Sequence, residues 1–250
     1  MAFVAGASRG IGRNIACALA REGAAVAVAA RSATPAKLPG TIYTVGESIE
    51  EEGGRAFPVV CDVTDEASVE AAVSATVSEL GGIDILVANA GVMWLAPTLA
   101  TPLKRWELCL RVNLTGVFLV TKAVLPYVLA RGRGSLIAVT TNGVAMTHLG
   151  SNAYWISKAG VERYYLGLAA ELQDQNVAVN CLAPKKVVLT EGWQASGAGI
   201  ELAPDMIEEP EAMGQAAVIL ATQDATGITG SVQYSLDLIE KLGGATSTRQ

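Results

Sequence analysis

Short apolar runs alternate along the chain with longer stretches of helical periodicity. The runs are rich in Val, Ile and Ala and cover residues 2–5, 25–30, 55–61, 83–88, 135–141, 177–182 and 231–236. Such alternation is typical of a parallel sheet that is covered by helices on both faces. We therefore predict a single doubly wound α/β sheet of seven strands.

The helical pattern fills the intervals between these runs. The predicted helices cover residues 11–22, 43–52, 65–80, 102–131, 152–175 and 210–220. A glycine follows each of the first three helices, at Gly23, Gly53 and Gly81. Pro102 and Pro210 fit the first turns of their helices, whereas Pro126 lies late in the fourth helix and predicts a kink or an early end there.

No repeat and no linker divides the chain, so we predict one domain over residues 1–250. Two segments, 32–42 and 184–209, lack a clear period. Long irregular loops in compact domains are often binding loops. We expect residues 184–209 to form a substrate loop or lid and residues 243–250 to be a frayed tail.

Composition and charge exclude several classes of function. Apolar residues make up 51% of the chain, which excludes a disordered protein, and a net charge of -6 argues against nucleic acid as a partner. No apolar run predicts a membrane span, and the N-terminus lacks the pattern of a secretory signal. His148 is the one histidine, so we expect no metal site. The cysteines form no CxxC pair and favour a reducing cytoplasm; they are Cys17, Cys61, Cys109 and Cys181.

A glycine-rich turn follows the first predicted strand and opens the first helix. It has the spacing GxxxGxG and contains Gly6, Ser8, Arg9, Gly10, Ile11 and Gly12. Gly6 would allow a tight turn, and Gly10 and Gly12 would allow close approach of a pyrophosphate and of the strand, with the free N–H groups of the helix N-terminus facing the anion. We predict a dinucleotide site here; the alternative is a glycine-rich turn that binds nothing.

With this spacing the chain resembles the short-chain dehydrogenase/reductase family. Further matches follow in the family's order, at Asp62-Val63, Asn89-Ala90-Gly91, Asn113 and the YxxxK motif of Tyr154 and Lys158. The resemblance implies a Rossmann-type fold and an oxidoreductase that uses a nicotinamide cofactor. It further implies that Asp62, Val63 and the Asn89-Ala90-Gly91 motif bind the cofactor, together with Pro184 and Thr190.

The YxxxK motif is the expected centre of the chemistry. Residues four apart share one helix face, so Tyr154 and Lys158 can point into one cleft. An ammonium beside a phenol lowers the pKa of the phenol from about 10 toward the working pH. The resemblance implies that Tyr154 transfers the proton and that Lys158 also holds the nicotinamide ribose. Without the other motifs, a half-buried tyrosine and an exposed lysine would be the simpler interpretation.

Two further residues complete the catalytic set that the resemblance implies. Thr141 stands 13 residues before Tyr154, where the family normally has a serine, and keeps a hydroxyl that can donate to a carbonyl. We expect Thr140 to point to the opposite side of the strand. Asn113 would complete a relay to Lys158; its alternative role is that of a polar residue that kinks the helix.

The end of the second strand indicates the cofactor. Enzymes selective for NAD usually have an acidic residue there, but this chain has Ala30, followed by Arg31. Arg31 and Arg9 can flank a 2'-phosphate that no carboxylate repels. We therefore predict NADP(H); the alternative is that Arg31 is a solvated loop cation.

Several departures from the family's pattern point to a subgroup. Ala5, Ala88 and Lys185 replace usual residues, and Thr190 comes one position late. Segments 31–35 and 38–43, with Pro184-Lys185, resemble the hydroxysteroid dehydrogenase-like proteins and the bacterial citronellol dehydrogenase-like enzymes. This implies an apolar carbonyl or alcohol substrate. The expected pocket residues, each of which is also compatible with core or oligomer contacts, are Met93, Trp94, Met146, Leu149 and Trp193.

The leading hypothesis is an NADP(H)-dependent oxidoreductase that interconverts the carbonyl and alcohol forms of an apolar small molecule. The competing hypothesis is an NADP-binding regulatory or scaffold protein with weak or no turnover, motivated by Thr141 and Lys185. An epimerase or dehydratase is less favoured, because those enzymes usually have a larger substrate domain. The resemblance also implies a homodimer or homotetramer formed through the helices that carry Asn113 and Tyr154.

Overall fold

The computed structural model of the chain describes residues 1–34, 38–146, 150–196 and 202–243. Its strands are β1 (Ala2–Ala5), β2 (Ala25–Ala30), β3 (Arg55–Val60), β4 (Ile85–Ala88), β5 (Gly134–Val139), β6 (Val177–Ala183) and β7 (Ser231–Tyr234). In the described residues they form one seven-stranded parallel sheet in the order β3-β2-β1-β4-β5-β6-β7. The predicted Rossmann-type, doubly wound sheet in a single domain is confirmed.

At least one helix follows each strand. The helices are α1 (Gly10–Arg21), α2 (Ile42–Glu51), α3 (Glu66–Leu80), α4 (Leu103–Leu110), α5 (Gly116–Ala130), α6 (Asn152–Glu171), α7 (Glu191–Ala195), α8 (Pro210–Ala221) and α9 (Ser235–Leu242). Local signals explain several helix starts: Thr41 and Thr44 form a capping box before α2, and the Asp65 carboxylate caps α3. The sequence did not predict α7 or α9. α7 lies within the segment predicted as a loop, and α9 begins at Ser235, inside the predicted run 231–236, because β7 ends at Tyr234.

The core lies on both faces of the sheet because strand side chains alternate. In β1, Phe3 and Ala5 pack on the face covered by α3, α5 and α6. Ala2 and Val4 pack on the opposite face, under α1, α2 and α8. Strands buried on both faces read as continuous apolar runs, which is why the sequence pattern located them.

The predicted helix 102–131 is one continuous helical segment with an internal π turn. The π turn covers Arg111–Thr115, between α4 and α5, and contains the buried Asn113. Pro126 does not end the helix, which continues to Ala130. The early end at Pro126 was therefore wrong, and the kink stays a prediction. The structure adds an irregularity at Asn113, in the π turn.

This helical segment, Leu103–Ala130, is also long and apolar enough, by length and composition, to cross a membrane. No apolar run was expected to meet that criterion. Val117, Val120, Val124 and Val128 are buried in the core against the sheet, however. A core helix of a folded domain passes the same test, so the segment is accounted for by its packing.

Backbone pairing joins the two ends of the segment 184–209. Val187 forms a parallel bridge with Ile207, and α7 lies between them in the sequence. Residues 197–201 of this predicted lid lie outside the described residues, as do 244–250 of the predicted tail, residues 35–37, and His148 and Leu149.

The strand order places the carboxyl ends of β1 and β4 side by side at the edge of the sheet. Connections from β1 and β4 lead to opposite faces, so a crevice opens between them. Open α/β sheets bind ligands in such a crevice. The glycine turn follows β1, and Asn89 follows β4, so the predicted site residues meet there.

Candidate active site

The glycine turn joins β1 to α1 and leaves the helix N-terminus open. Gly6 and Gly10 have φ angles of 78° and 57°, in the left-handed region where glycine has no steric cost. No side chain caps the start of α1. Its first N–H groups are therefore available to an anion, and the helix dipole adds to their attraction. These features fit the pyrophosphate of a dinucleotide.

Gly12 allows the close approach of α1 to the strand, which is one of the two roles that the sequence suggested. A Cβ atom at Gly12 would collide with the Gly6 carbonyl oxygen and with Nδ2 of Asn89. Asn89 Nδ2 donates a hydrogen bond of 2.9 Å to that same carbonyl. Gly12 is absent from the cavity wall, so it serves the close packing of α1 on β1 rather than contact with a ligand.

A cavity of about 900 Å³ extends from the glycine turn past the ends of β4, β5 and β6, and α7, which begins over the glycine turn, forms part of its wall. It brings most of the predicted site residues together. These are Gly6, Ser8, Arg9, Gly10, Ile11, Arg31, Asp62, Val63, Asn89, Ala90, Gly91, Met93, Thr141, Met146, Tyr154, Lys158, Pro184, Thr190 and Trp193. A volume of this size is in the range of cofactor and ligand sites.

Two threonines reach the cavity from the end of β5. The strand stops at Val139, so the expected alternation does not apply and both Thr140 and Thr141 line the cavity. Thr141 Oγ1 accepts a hydrogen bond from the Gly143 N–H at 3.3 Å, which leaves its own hydroxyl proton free to donate. Thr140 Oγ1 is buried and lies close to the Glu162 carboxyl, a contact that the sequence did not predict.

Tyr154 and Lys158 both face the cavity from α6. The ammonium of Lys158 donates a hydrogen bond of 2.7 Å to the Val139 carbonyl. Burial, with a smaller contribution from Cys109, raises the pKa of Tyr154 to about 12. Burial also lowers the pKa of Lys158 to about 8. The expected lowering of the Tyr154 pKa is therefore wrong for the protein alone, because desolvation dominates and the ammonium is bound to a backbone carbonyl.

Asn113 is fully buried behind the cavity wall. Its carboxamide accepts from the Val92 N–H at 2.8 Å and donates to the Val92 carbonyl at 2.9 Å. It also donates to Ser157 Oγ, which donates in turn to the Tyr154 carbonyl. Asn113 thus fixes the turn of α6 that carries Tyr154 and acts as a positioning residue. The relay toward Lys158 stays a prediction.

The two predicted arginines differ in how they are held. Arg9 donates to the carbonyls of Pro39 and Gly40 at 2.8 and 2.9 Å, and to Ser32 Oγ at 3.1 Å. It therefore ties the glycine turn to the loop before α2. Arg31 is largely exposed and lies 3.8 Å from the Asp62 carboxylate, where solvent makes an ion pair weak.

Apolar side chains line the part of the cavity beyond the ends of β4, β5 and β6, which is called the apolar end below. Met93, Met146 and Trp193 lie there as predicted, with Met206 in addition. Trp94 does not line the cavity, so the prediction that it is a pocket residue was wrong. Its indole ring packs against the Arg105 guanidinium, whose carbon lies 4.6 Å from the ring centroid. The expected pocket residue Leu149 lies outside the described residues.

Sequence reasoning missed two charged residues of the cavity wall. Lys186 lies next to Lys185, a position already noted as a departure from the family's pattern, which was the available signal. Glu191 lies over the glycine turn, where its carboxylate would be 3.5 Å from a Cβ atom at Gly10. The described residues contain no group of three or more His, Cys, Asp or Glu that could hold a metal.

The shifted pKa of Lys158 predicts a pH-dependent stability. A lysine in an unfolded chain has a pKa of about 10.4. Between pH 8 and that value the unfolded chain binds the proton and the folded protein does not, so this residue's contribution to stability rises with pH. Relative to Lys158→Met, the wild-type protein should gain up to about 3 kcal/mol across this window.

Urea denaturation of both proteins at several pH values between 7.5 and 10.5 measures this difference. Lys104→Met, at an exposed lysine of α4, controls for the loss of a lysine side chain. A difference between wild type and Lys158→Met that does not change with pH would show that Lys158 keeps its proton in the folded protein.

Comparison with known proteins places this geometry in a family. A model described as short chain dehydrogenase matches residues 1–200. Hydroxysteroid dehydrogenase-like protein 2 of Danio rerio is 38% identical over 244 residues, which cover 96% of this chain and 58% of that protein. The Homo sapiens protein of the same name is 42% identical over 207 residues, which cover 80% of this chain and 48% of that protein. The chain thus spans about half the length of these relatives.

Solved structures of dehydrogenases share this fold. A putative dehydrogenase from Xanthomonas campestris has a TM-score of 0.87 and 38% identity, covering 97% of this chain and 89% of its own. A gluconate 5-dehydrogenase from Burkholderia cenocepacia, in complex with NADP and tartrate, has a TM-score of 0.82 and 30% identity, covering 93% and 92%. The fold, the order of the motifs and these similarities have one explanation: the chain belongs to the short chain dehydrogenase family.

Proposed function

We propose that this protein is an NADP(H)-dependent oxidoreductase that interconverts the carbonyl and alcohol forms of an apolar small molecule. One observation carries the proposal: Tyr154, Lys158 and Thr141 line the same cavity as the open glycine turn. A dinucleotide bound at the turn and a substrate at the apolar end would meet beside these three side chains. Membership of an oxidoreductase family supports this reaction type.

The protein's own residues would perform binding and proton transfer. When bound, the nicotinamide supplies or accepts the hydride. Thr141 would donate a hydrogen bond to the substrate oxygen and orient it. Tyr154 would give the proton to that oxygen during reduction, and a pKa of about 12 keeps the phenol protonated for this task at neutral pH. For oxidation, Lys158 would have to face the phenol rather than the Val139 carbonyl.

Substitution of the proposed acid tests the mechanism. Tyr154→Phe keeps the ring but removes the proton donor, so we expect carbonyl reduction to fall by roughly 100-fold or more. NADPH affinity should change little. The assay is NADPH consumption with a panel of terpenoid, steroid, acyl and aromatic carbonyls, together with a fluorescence titration of NADPH.

Tyr43→Phe is the matched control, because Tyr43 is exposed on α2. Turnover that survives Tyr154→Phe would refute the mechanism. Wild-type protein that binds NADPH but reduces no member of the panel would favour the scaffold hypothesis, which the replacement of serine by Thr141 motivates.

The preference for NADP(H) rests on the residues that follow β2. Ala30 provides no carboxylate for a ribose 2'-hydroxyl, and Arg9, Arg31 and Ser32 line this end of the cavity. Arg9 is bound to loop carbonyls, so Arg31 is the more available cation for a 2'-phosphate. The NADP in the Burkholderia cenocepacia structure supports the same choice.

We expect Arg31→Ala to raise the KM for NADPH by about tenfold, the value of one charge-assisted hydrogen bond, and to leave the KM for NADH unchanged. Arg133→Ala is the control. Arg133 is exposed and directly precedes β5, at the amino-terminal ends of the strands, whereas the cavity lies at their carboxyl ends. Steady-state kinetics with both cofactors measures the effect. An equal loss with NADPH and NADH would assign Arg31 to the shared part of the cofactor.

The surroundings that we propose for the protein follow from its thiols and charge. All four cysteines are free and buried, which supports a reducing compartment, the cytoplasm. A net charge of -6 supports a small-molecule substrate rather than nucleic acid, and the packing of Leu103–Ala130 on the sheet supports the absence of a membrane partner. Cell fractionation that recovered the protein outside the cytoplasm would contradict this assignment.

We also propose that the protein forms a homodimer or homotetramer through the outer faces of α5 and α6. Phe118 on α5 and Ile156 on α6 are 44% and 48% exposed, and the Phe118 ring contacts Tyr164 at 6.0 Å between centroids. Apolar side chains on adjacent helices form a patch that a second copy can cover.

A charge within this patch should disrupt the assembly. We expect Phe118→Asp to convert the wild-type oligomer to a monomer in sedimentation velocity. Tyr43→Asp, on the helix layer of the opposite face, should leave the oligomer intact. A wild-type protein that sediments as a monomer at working concentration would refute the oligomer.

A further inference from the structure

Among the described residues, four positively charged ones line the cavity: Arg9, Arg31, Lys158 and Lys186. The first three have acceptors in the protein. Arg9 binds loop carbonyls, Lys158 binds the Val139 carbonyl, and Arg31 lies 3.8 Å from Asp62. The ammonium of Lys186 forms no ion pair and no hydrogen bond with any residue that the structure describes.

The backbone at Lys186 is fixed in place. Its N–H donates a hydrogen bond of 2.9 Å to Oε2 of Glu208. The Glu208 carboxylate is only 5% exposed, and its other oxygen accepts from Ser235 Oγ at 2.6 Å. Ser235 Oγ in turn accepts from the Lys185 N–H at 3.0 Å. The lysine therefore projects from a rigid, buried anchor rather than from a free loop.

Two hydrogen bonds of its neighbours place Lys186 near Thr141 and Met206, at the apolar end of the cavity. Asn142, the residue after Thr141, donates a hydrogen bond of 2.9 Å from Nδ2 to the Lys185 carbonyl. On its other side, the next residue, Val187, pairs through its N–H with the Met206 carbonyl at 2.8 Å. Lys186 thus lies between the proposed carbonyl-orienting hydroxyl and the apolar wall at Met206.

An anionic ligand would stabilise the charge of Lys186. The residue is half-buried, and an unpaired charge beside apolar walls costs free energy unless a partner compensates it. The described carboxylates of the cavity lie elsewhere, with Asp62 beside Arg31 and Glu191 over Gly10. Two sources of negative charge then remain for Lys186, the phosphates of the proposed cofactor and the substrate that enters the apolar end.

We propose that the substrate of this enzyme carries a carboxylate in addition to its apolar body and its carbonyl or alcohol group, and that Lys186 binds this carboxylate. The inference rests on the proposed function, because it assigns the substrate of the same site. One ammonium balances one carboxylate, whereas a phosphate with about two charges would leave a charge unpaired in an apolar site. Lys186 is a specificity-determining residue in this scheme.

Matched substrates and neighbouring lysines test the proposal. Aliphatic keto acids of increasing chain length are compared with their methyl esters, in the presence of NADPH, for wild type, Lys186→Met and Lys185→Met. We expect wild type to prefer the acid of the best chain length by about 10- to 100-fold in kcat/KM, the effect of one charge-assisted hydrogen bond. Lys186→Met should lose this preference by slowing the acid alone, with the Kd for NADPH unchanged.

Lys185→Met is the matched control, because Lys185 lies outside the cavity wall and is paired with Asp237 at 2.8 Å. It should keep the wild-type preference. Equal turnover of acids and esters by wild type would overturn the proposal. So would an equal effect of Lys186→Met on both substrates, or a weaker Kd for NADPH, which would assign the lysine to the cofactor.

A binding measurement separates this inference from the proposed function. Calorimetric titration of the keto acids into protein saturated with NADP+ does not depend on turnover. Acid binding that Lys186→Met abolishes, in a protein without reductase activity, would support the lysine's role and refute the proposed reaction. If no acid of the series binds to wild type more tightly than its ester, the role of Lys186 is refuted.

Discussion

The close contact of the β1 turn with the residue after β4 is the constraint on which the cavity depends. Asn89 donates to the Gly6 carbonyl, and Gly12 leaves no room for a side chain at the same point. These contacts hold the start of α1 against the sheet and keep its N–H groups open toward the crevice. The Asn89–Gly6 hydrogen bond and the absence of a side chain at Gly12 thus determine where a dinucleotide can lie.

Burial then determines the charges in the cavity. Without desolvation, Lys158 would stay fully charged at neutral and mildly basic pH and Tyr154 would titrate near its ordinary value. In the folded protein both pKa values move toward the neutral form, to about 8 and about 12. Such a site fits the reduction that we propose, because the phenol keeps a proton to donate and the ammonium is held by a backbone carbonyl.

Sequence patterns predicted the parts of the molecule that depend on local chemistry. The seven strands were found because most of them are short, mainly apolar runs, and the glycine turn was found because its spacing is set by backbone geometry. Patterns failed where tertiary contacts decide. Trp94 packs under Arg105 rather than in the pocket. The pKa of Tyr154 depends on burial, which no spacing of residues reveals.

The segment after β6 shows how a departure from a family's pattern can carry function. Lys185 and Lys186 are adjacent and chemically identical, yet the fold separates their roles. Lys185 faces outward and pairs with Asp237, whereas Lys186 is anchored through Glu208 and lines the cavity. A charge on the wall changes which ligands a cavity accepts. In our proposal, the buried Glu208 carboxylate therefore contributes to substrate choice, because it fixes the backbone that carries Lys186.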